Sequence, residues 1–179
     1  MKPRFNQTKT AQLAGFLLNL RGESMHYMKL IKLMYLVDRA ALLTRGYPLT
    51  YDNYVSMPHG PVLSATLDLI NEGPMFGHDD SPWHQLIERA KDPYCVRLKA
   101  KPQTDNLSED EQRIIKAIFG RYGKMNRYDL RDMLHQVLPE WIDPKGSALP
   151  ITYRDILLAG NKTEVEIARI LSEIDKASD

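Results

Sequence analysis

The apolar and polar positions mark out helices first. Between 10 and 20, Leu13, Phe16, Leu17 and Leu20 recur at helical spacing, and Gly22 follows as a stop signal. The segment 27–44 differs in kind. Wound at about 100° per residue, it puts Lys29, Lys32 and Arg39 on one narrow stripe. Met28, Leu30, Ile31, Leu33, Met34, Leu36, Val37, Ala41 and Leu42 cover nearly everything else. A helix this apolar is packed on several sides, so it is the expected centre of the fold, with its charged stripe as the solvated edge. Asp38 interrupts the apolar surface. A buried carboxylate without a donor is costly, which predicts a partner for it in His59 or a nearby tyrosine.

Gly46 closes that helix, and "YPLTYDNYVSMPHG" reads as a loop or short extended segment. A third helix is expected from Pro61 to about 71, with Leu63, Leu67 and Ile70 on one face. Proline suits the first helical position because an N–H there has no intrahelical acceptor. The stretch 72–82, "EGPMFGHDDSP", is turn-rich and is expected to be a loop. Two readings compete for 83–90. Trp83, Leu86, Ile87 and Ala90 have helical spacing, but a hairpin turning at "KDP" would pair the segment with "YCVRLK". That second stretch alternates Tyr94, Val96 and Leu98 against Cys95, Arg97 and Lys99.

The second half is plainer. Ser108 and Glu111 form a capping box ahead of Ile114, Ile115, Ile118 and Phe119. "NRYDLRDMLHQVLPEW" gives a helix with Leu130, Met133, Leu134 and Val137 inward, ending before Pro139. Two helices close the chain, the last capped by Thr163 with Glu166 and striped by Ile167, Ile170, Leu171 and Ile174. The expected fold class is α+β, predominantly α-helical: one compact multi-helix domain over 1–179, built around a central apolar helix with a small β-hairpin or short sheet.

Composition narrows the function classes. With 43% apolar and 26% charged residues, 179 residues suffice for a real core. A net charge of +1 supplies no global field, so nucleic acid or an anionic membrane would need a local patch. Arg121, Lys124, Arg127 and Arg131 supply one such patch, arranged loosely like helix-turn-helix, but no series of base-reading Asn or Gln accompanies it. The lone Cys95 fits a reducing compartment, and no apolar run approaches the ~20 residues of a membrane span. The expected location is cytoplasmic.

Candidate chemistry is sparse. His26, His59, His78, His84 and His135 include no pair at metal-ligand spacing, and "HDD" at 78–80 reads better as a solvated turn than as a ligand set. Cys95 reads as a half-buried thiol rather than a nucleophile. No phosphate-binding, nucleophile-elbow or dinucleotide motif occurs, and no metal or cofactor is implied. His59 stays open to three readings. It fills a polar niche in a Pro-Gly-Pro corner, or stands beside a helix start that could receive a carboxylate or phosphate, or partners Asp38. Tyr47, Tyr51, Tyr54 and Met57 look like anchors for another protein, although core sealing would use the same residue types.

Two blocks, "MKLIKLMYLVDRA" and "YPLTYDNYVSMPHGPV", carry a resemblance to the Panacea domain family, also called SocA-like or GepA-like. Lys29, Leu30, Lys32, Leu33, Tyr35, Leu36, Asp38, Gly60, Pro61 and Val62 match its pattern. The likeness continues in "LSEDE", "RYGKMNRYDLRDMLH" and the Pro-Glu-Trp at 139–141, and leaves 74–102 and 145–179 poorly covered. It implies an antitoxin of a bacterial or phage toxin–antitoxin pair, without enzymatic activity, that neutralises a cognate toxin protein by direct contact. The partner-binding set then becomes Tyr47, Tyr51, Tyr54, Met57, His59, Lys29, Lys32 and Arg39, with Asp38, Gly60 and Pro61 as the structural motif. An ATP-dependent protease, in an adaptor role seen in the SocA branch, and a second copy of the chain are further partners to weigh. A DNA-binding regulator is the alternative class.

Overall fold

The first helix, α1 (Gln7–Arg21), starts on Asn6, whose side chain accepts from the Lys9 N–H, and stops at Gly22 in the left-handed conformation. The computed structural model describes residues 4–72 and 81–177. Ala11, Leu13, Ala14, Leu17 and Leu18 of α1 are buried, whereas Leu20 is 38% exposed. The stripe is therefore rotated from the expected one. Two neighbours cause this: β1 (Ser24–His26) leads into the central helix α2 (Tyr27–Arg45) on one side, and a short helix approaches Gly15 on the other. A Cβ at Gly15 would come within 2.8 Å of Leu86 and 3.0 Å of Pro102, so glycine permits that approach.

Beyond α2 the chain forms a hairpin, β2 (Tyr54–Met57) and β3 (Gly60–Leu63), with Tyr54 opposite Leu63 and Met57 opposite Gly60. Pro58 and His59 are its two-residue turn. Pro61 thus lies in a buried strand opposite Ser56, and α3 (Ser64–Glu72) begins three residues later than expected. The cause is visible at the new start. The two carboxylate oxygens of Asp52 accept from the N–H groups of Ala65 and Thr66 at 2.8 and 2.9 Å, and the Thr66 hydroxyl donates to the same side chain. This helix end has recruited an internal carboxylate.

Both readings of 83–90 hold in part. α4 (Pro82–Leu86) passes directly into β4 (Ile87–Arg89), which pairs antiparallel with β5 (Cys95–Leu98). β5 also pairs with β1, giving the order β1-β5-β4. The loop expected around 72–82, with its "HDD", falls mostly outside the described residues. Next come α5 (Glu109–Tyr122), with its Ser108–Glu111 capping box, and α6 (Arg127–Val137), capped by Asn126. Leu130 and Leu134 of α6 are buried, but Val137 at its end is exposed, against expectation. β6 (Leu149–Ile151) joins the hairpin in the order β3-β2-β6, and α7 (Tyr153–Ala159) and α8 (Glu164–Lys176) finish the fold. The α8 residue Ile170 packs against Gly46 at the end of α2.

The result is α+β and predominantly helical, with α2 enclosed by α1, α5, α6, α7 and β3. That enclosure corrects one expectation. The charged stripe of α2 is not a solvated edge, because Lys29 and Lys32 are buried and Arg39 is drawn into an ion pair.

The rotated face of α1 can be tested by urea denaturation. Leu17→Ala is expected to cost about 3 kcal/mol as a fully buried leucine, and Leu20→Ala less than about 1 kcal/mol. Equal costs would restore the face read from spacing.

Candidate functional site

Asp38 has no exposed surface, and four donors converge on it. Oδ1 accepts from the N–H groups of Leu49 at 2.8 Å and Thr50 at 3.2 Å, while Oδ2 accepts from the Tyr54 hydroxyl at 2.8 Å and from the Thr50 hydroxyl. Burial raises its pKa to about 6, and the hydrogen bonds hold it from rising further. The expected partner is therefore Tyr54, aided by Thr50 and two backbone groups. His59 is exposed in the hairpin turn and takes no part. Tyr54 is a core residue, its ring edge-on to Tyr35 at 5.4 Å between centroids. Tyr35 donates in turn to Glu140 at 2.9 Å, and the buried Glu140 also accepts from Arg39 at 2.6 Å.

Lys32 apart, these contacts sort the expected partner-binding residues into three groups. Tyr54, Lys29 and Arg39 hold the fold together; Lys29 gives its Nζ to the Gly123 carbonyl at 2.5 Å. Tyr47 and Tyr51 lie together near Arg45, whose guanidinium stacks on the Tyr47 ring at 4.6 Å. Met57 and His59 lie elsewhere, at the hairpin tip. The tyrosine loop is thus divided between two places. At the tip, the indole N–H of Trp141 donates to the Met57 carbonyl at 3.1 Å, and the Ile142 N–H to the Ser56 hydroxyl at 3.3 Å. Ile142 is 64% exposed, and Leu149, opposite Ser56 in β6, is also exposed. Met57, His59, Trp141, Ile142 and Leu149 therefore surround one end of the sheet.

Lys32 lies just beneath this end. It has no exposed surface, and its Nζ has no hydrogen-bond partner; the buried Nε2 of His135 has none either. Both atoms face the same spot at Gly60, where a Cβ would stand 2.9 Å from Lys32 Nζ and 3.6 Å from His135 Nε2. Gly60 has φ +104°, which also favours glycine. The His135 ring stacks on Trp141 with 3.9 Å between centroids. Burial lowers the Lys32 pKa to about 8, with Arg131 adding to the shift. His135 is lowered as well, by burial first and then by Lys32 and Arg131.

The other candidates recede. The Cys95 thiol is pushed up by burial and by its bond to Asp92, which disfavours the thiolate. Among the described residues no three His, Cys, Asp or Glu side chains are grouped to hold a metal ion, and no helix is long and apolar enough to cross a membrane.

The model described as antitoxin SocA-like, Panacea domain, matches residues 30–142. The chain belongs to the SocA-like Panacea antitoxin family. No curated protein and no solved structure matches it. The span matched by the Panacea model contains Lys32, Asp38, Asp52, Tyr54, Gly60, His135, Glu140 and Trp141, and of the buried polar groups just described only Lys29 lies outside it. It leaves out β6, α7 and α8.

Sequence reasoning missed Asp52, Glu140 and the role of His135. Asp52 caps a helix twelve residues downstream, beyond any local capping signal. Glu140 and His135 meet α2 and Gly60 only through tertiary packing.

Two measurements probe the polar groups. Tyr54→Phe is expected to cost about 1 kcal/mol, and Asp38→Ala on the order of 3 kcal/mol, because the alanine leaves several buried donors unpaired. Denaturation with urea at neutral pH checks both, and equal costs would count against Asp38 as the hub. For Lys32, the folded pKa of about 8 lies below the ordinary 10.5. The folded state therefore holds this proton less tightly, and the penalty is complete below pH 8 and relieved as pH rises towards 10.5. Lys32→Met is expected to stabilise the chain at pH 7 by about 1–3 kcal/mol, with the gain shrinking between pH 8 and 10. A pH-independent gain would contradict the burial of a charged lysine.

Proposed function

We propose that this Panacea protein is a non-catalytic antitoxin that sequesters a cognate protein toxin by direct contact. Membership of the antitoxin family carries the reading. The surface that suits it best is the end of the sheet at the hairpin tip. There Met57 and His59 of the expected set stand beside Trp141, Ile142 and Leu149, and Trp141 and Ile142 brace the turn from behind. Aromatic and aliphatic side chains presented on a braced edge bind at low entropic cost, because little has to be ordered on association. Tyr47 and Tyr51 would form a second, separate contact. Residues 1–179 act in this reading as one unit.

Co-expression with the product of the neighbouring gene tests the proposal. The wild type is expected to restore growth and to copurify with that product. Ile142→Arg is expected to weaken the complex at least tenfold with little change in stability, while Val165→Arg on α8, at a site 80% exposed, leaves it unchanged. A toxic neighbour that is neither rescued nor bound would overturn sequestration. Equal effects of the two arginine variants would move the interface away from the hairpin tip.

A further inference from the structure

We infer that the corner formed by Lys32, His135 and Gly60 receives a carboxylate from the partner: an Asp or Glu side chain of the toxin inserted at the hairpin tip. The inference rests on the antitoxin reading and specifies which chemistry that surface recognises.

The buried charges of the chain are not all balanced. The carboxylates of Asp38, Asp52, Glu111 and Glu140 are buried and each has donors within the chain. Lys29, the other buried lysine among the described residues, has the Gly123 carbonyl. Lys32 alone among these groups is buried with its charge unanswered. A buried cation without an acceptor is strongly unfavourable, and an apolar side chain of similar length would fit the same place. Such a residue is expected where function, not stability, selects it.

The surroundings say which function. Arg131 of α6 is close enough to act on both Lys32 and His135, and His59 of the hairpin turn close enough to act on His135. Among the described residues Asp132 is the acid that acts on His135, and it is already taken by Arg131, with Oδ1 at 2.7 Å from the guanidinium. The corner is therefore rich in basic groups, and among the described residues none accepts a hydrogen bond from Lys32 Nζ or pairs with His135 Nε2. Two of its nitrogens converge on one point at Gly60, and both are closed off from solvent in the free chain, so a partner's carboxylate reaches them as the hairpin turn shifts outward. A carboxylate has two oxygens and could accept from both nitrogens at once. The rim distinguishes among anions. Met57, Trp141, Ile142 and Leu149 make an apolar and aromatic border, which suits a protein surface around a single acidic anchor. A nucleic-acid backbone would instead need a run of cations, and the chain's net charge is +1.

The test uses the full chain in two arms. In the first, the complex with the neighbouring gene's product is measured for wild type, Lys32→Met and His135→Gln. Both variants are expected to fold, Lys32→Met with a higher melting temperature than wild type, and both to bind at least tenfold more weakly. In the second, hexaglutamate and a short DNA duplex are added to the free proteins at fixed ionic strength. Hexaglutamate is expected to raise the melting temperature of the wild type and not that of Lys32→Met, with no comparable protection by DNA. Unchanged binding by both folded variants overturns the inference, as does equal protection of wild type and Lys32→Met, protection of neither, or protection by DNA as strong as by the peptide. If the wild type binds no toxin, the antitoxin reading fails by itself, and the hexaglutamate arm still decides whether the corner takes carboxylates.

Discussion

The carboxylate of Asp38 is the interaction on which the arrangement depends. It sits on the central helix without solvent contact and gathers donors from Leu49, Thr50 and Tyr54. A stretch with little regular structure of its own is thereby fastened to α2 at several points. Tyr54 is the first residue of β2, so fixing its hydroxyl fixes the start of the hairpin. Asp52, two residues earlier, sets where α3 begins. The acid on the helix thus places a loop and a strand, and Asp52, whose N–H donates to the Thr50 hydroxyl, places the next helix. Burial raises the pKa of this acid to about 6, so keeping it ionised at neutral pH has a cost that the four donors offset.

Glu140 repeats this logic on the far side of the same ring system. It binds Tyr35 and Arg39 of α2, and so holds the segment after α6 against the central helix. Trp141 and Ile142 follow directly and bond to β2. The hairpin tip is consequently held from two directions, by Asp38 through Tyr54 and by Glu140 through Trp141. A two-residue turn braced in this way has little freedom to lose when another molecule seats on it.

Much of the scaffold could be read from residues alone. The central helix was legible because its apolar positions cover nearly the whole circumference, and Asp38 stood out against them. Capping boxes at Ser108 and Thr163 mark local hydrogen bonds, and these are the signals a sequence carries most directly. The errors share a physical cause. Pro61 satisfies the rule for a first helical residue, but pairing with β2 and the carboxylate of Asp52 moved the helix start to Ser64. Lys29, Lys32 and Arg39 have the spacing of a solvated edge, yet α5 and α6 cover that edge. Whether a charge stripe meets water or a neighbouring helix depends on contacts distant in the chain. The same holds for His135, which acquires meaning only when α6 brings it to Gly60.

The contrast between Asp38 and Lys32 bears on how one helix can serve both fold and function. Six residues apart on α2, both are sealed from solvent and both have pKa values displaced by burial. For Asp38 the chain itself provides the counter-groups, so the residue contributes to folding. For Lys32 it provides none, and with a pKa of about 8 the ammonium is still mostly charged at neutral pH. A charge retained under those conditions costs stability in the free protein and is repaid only when an acceptor arrives from outside. The free state is thereby made less favourable relative to the bound one, so the missing acceptor inside the fold favours a partner that supplies it.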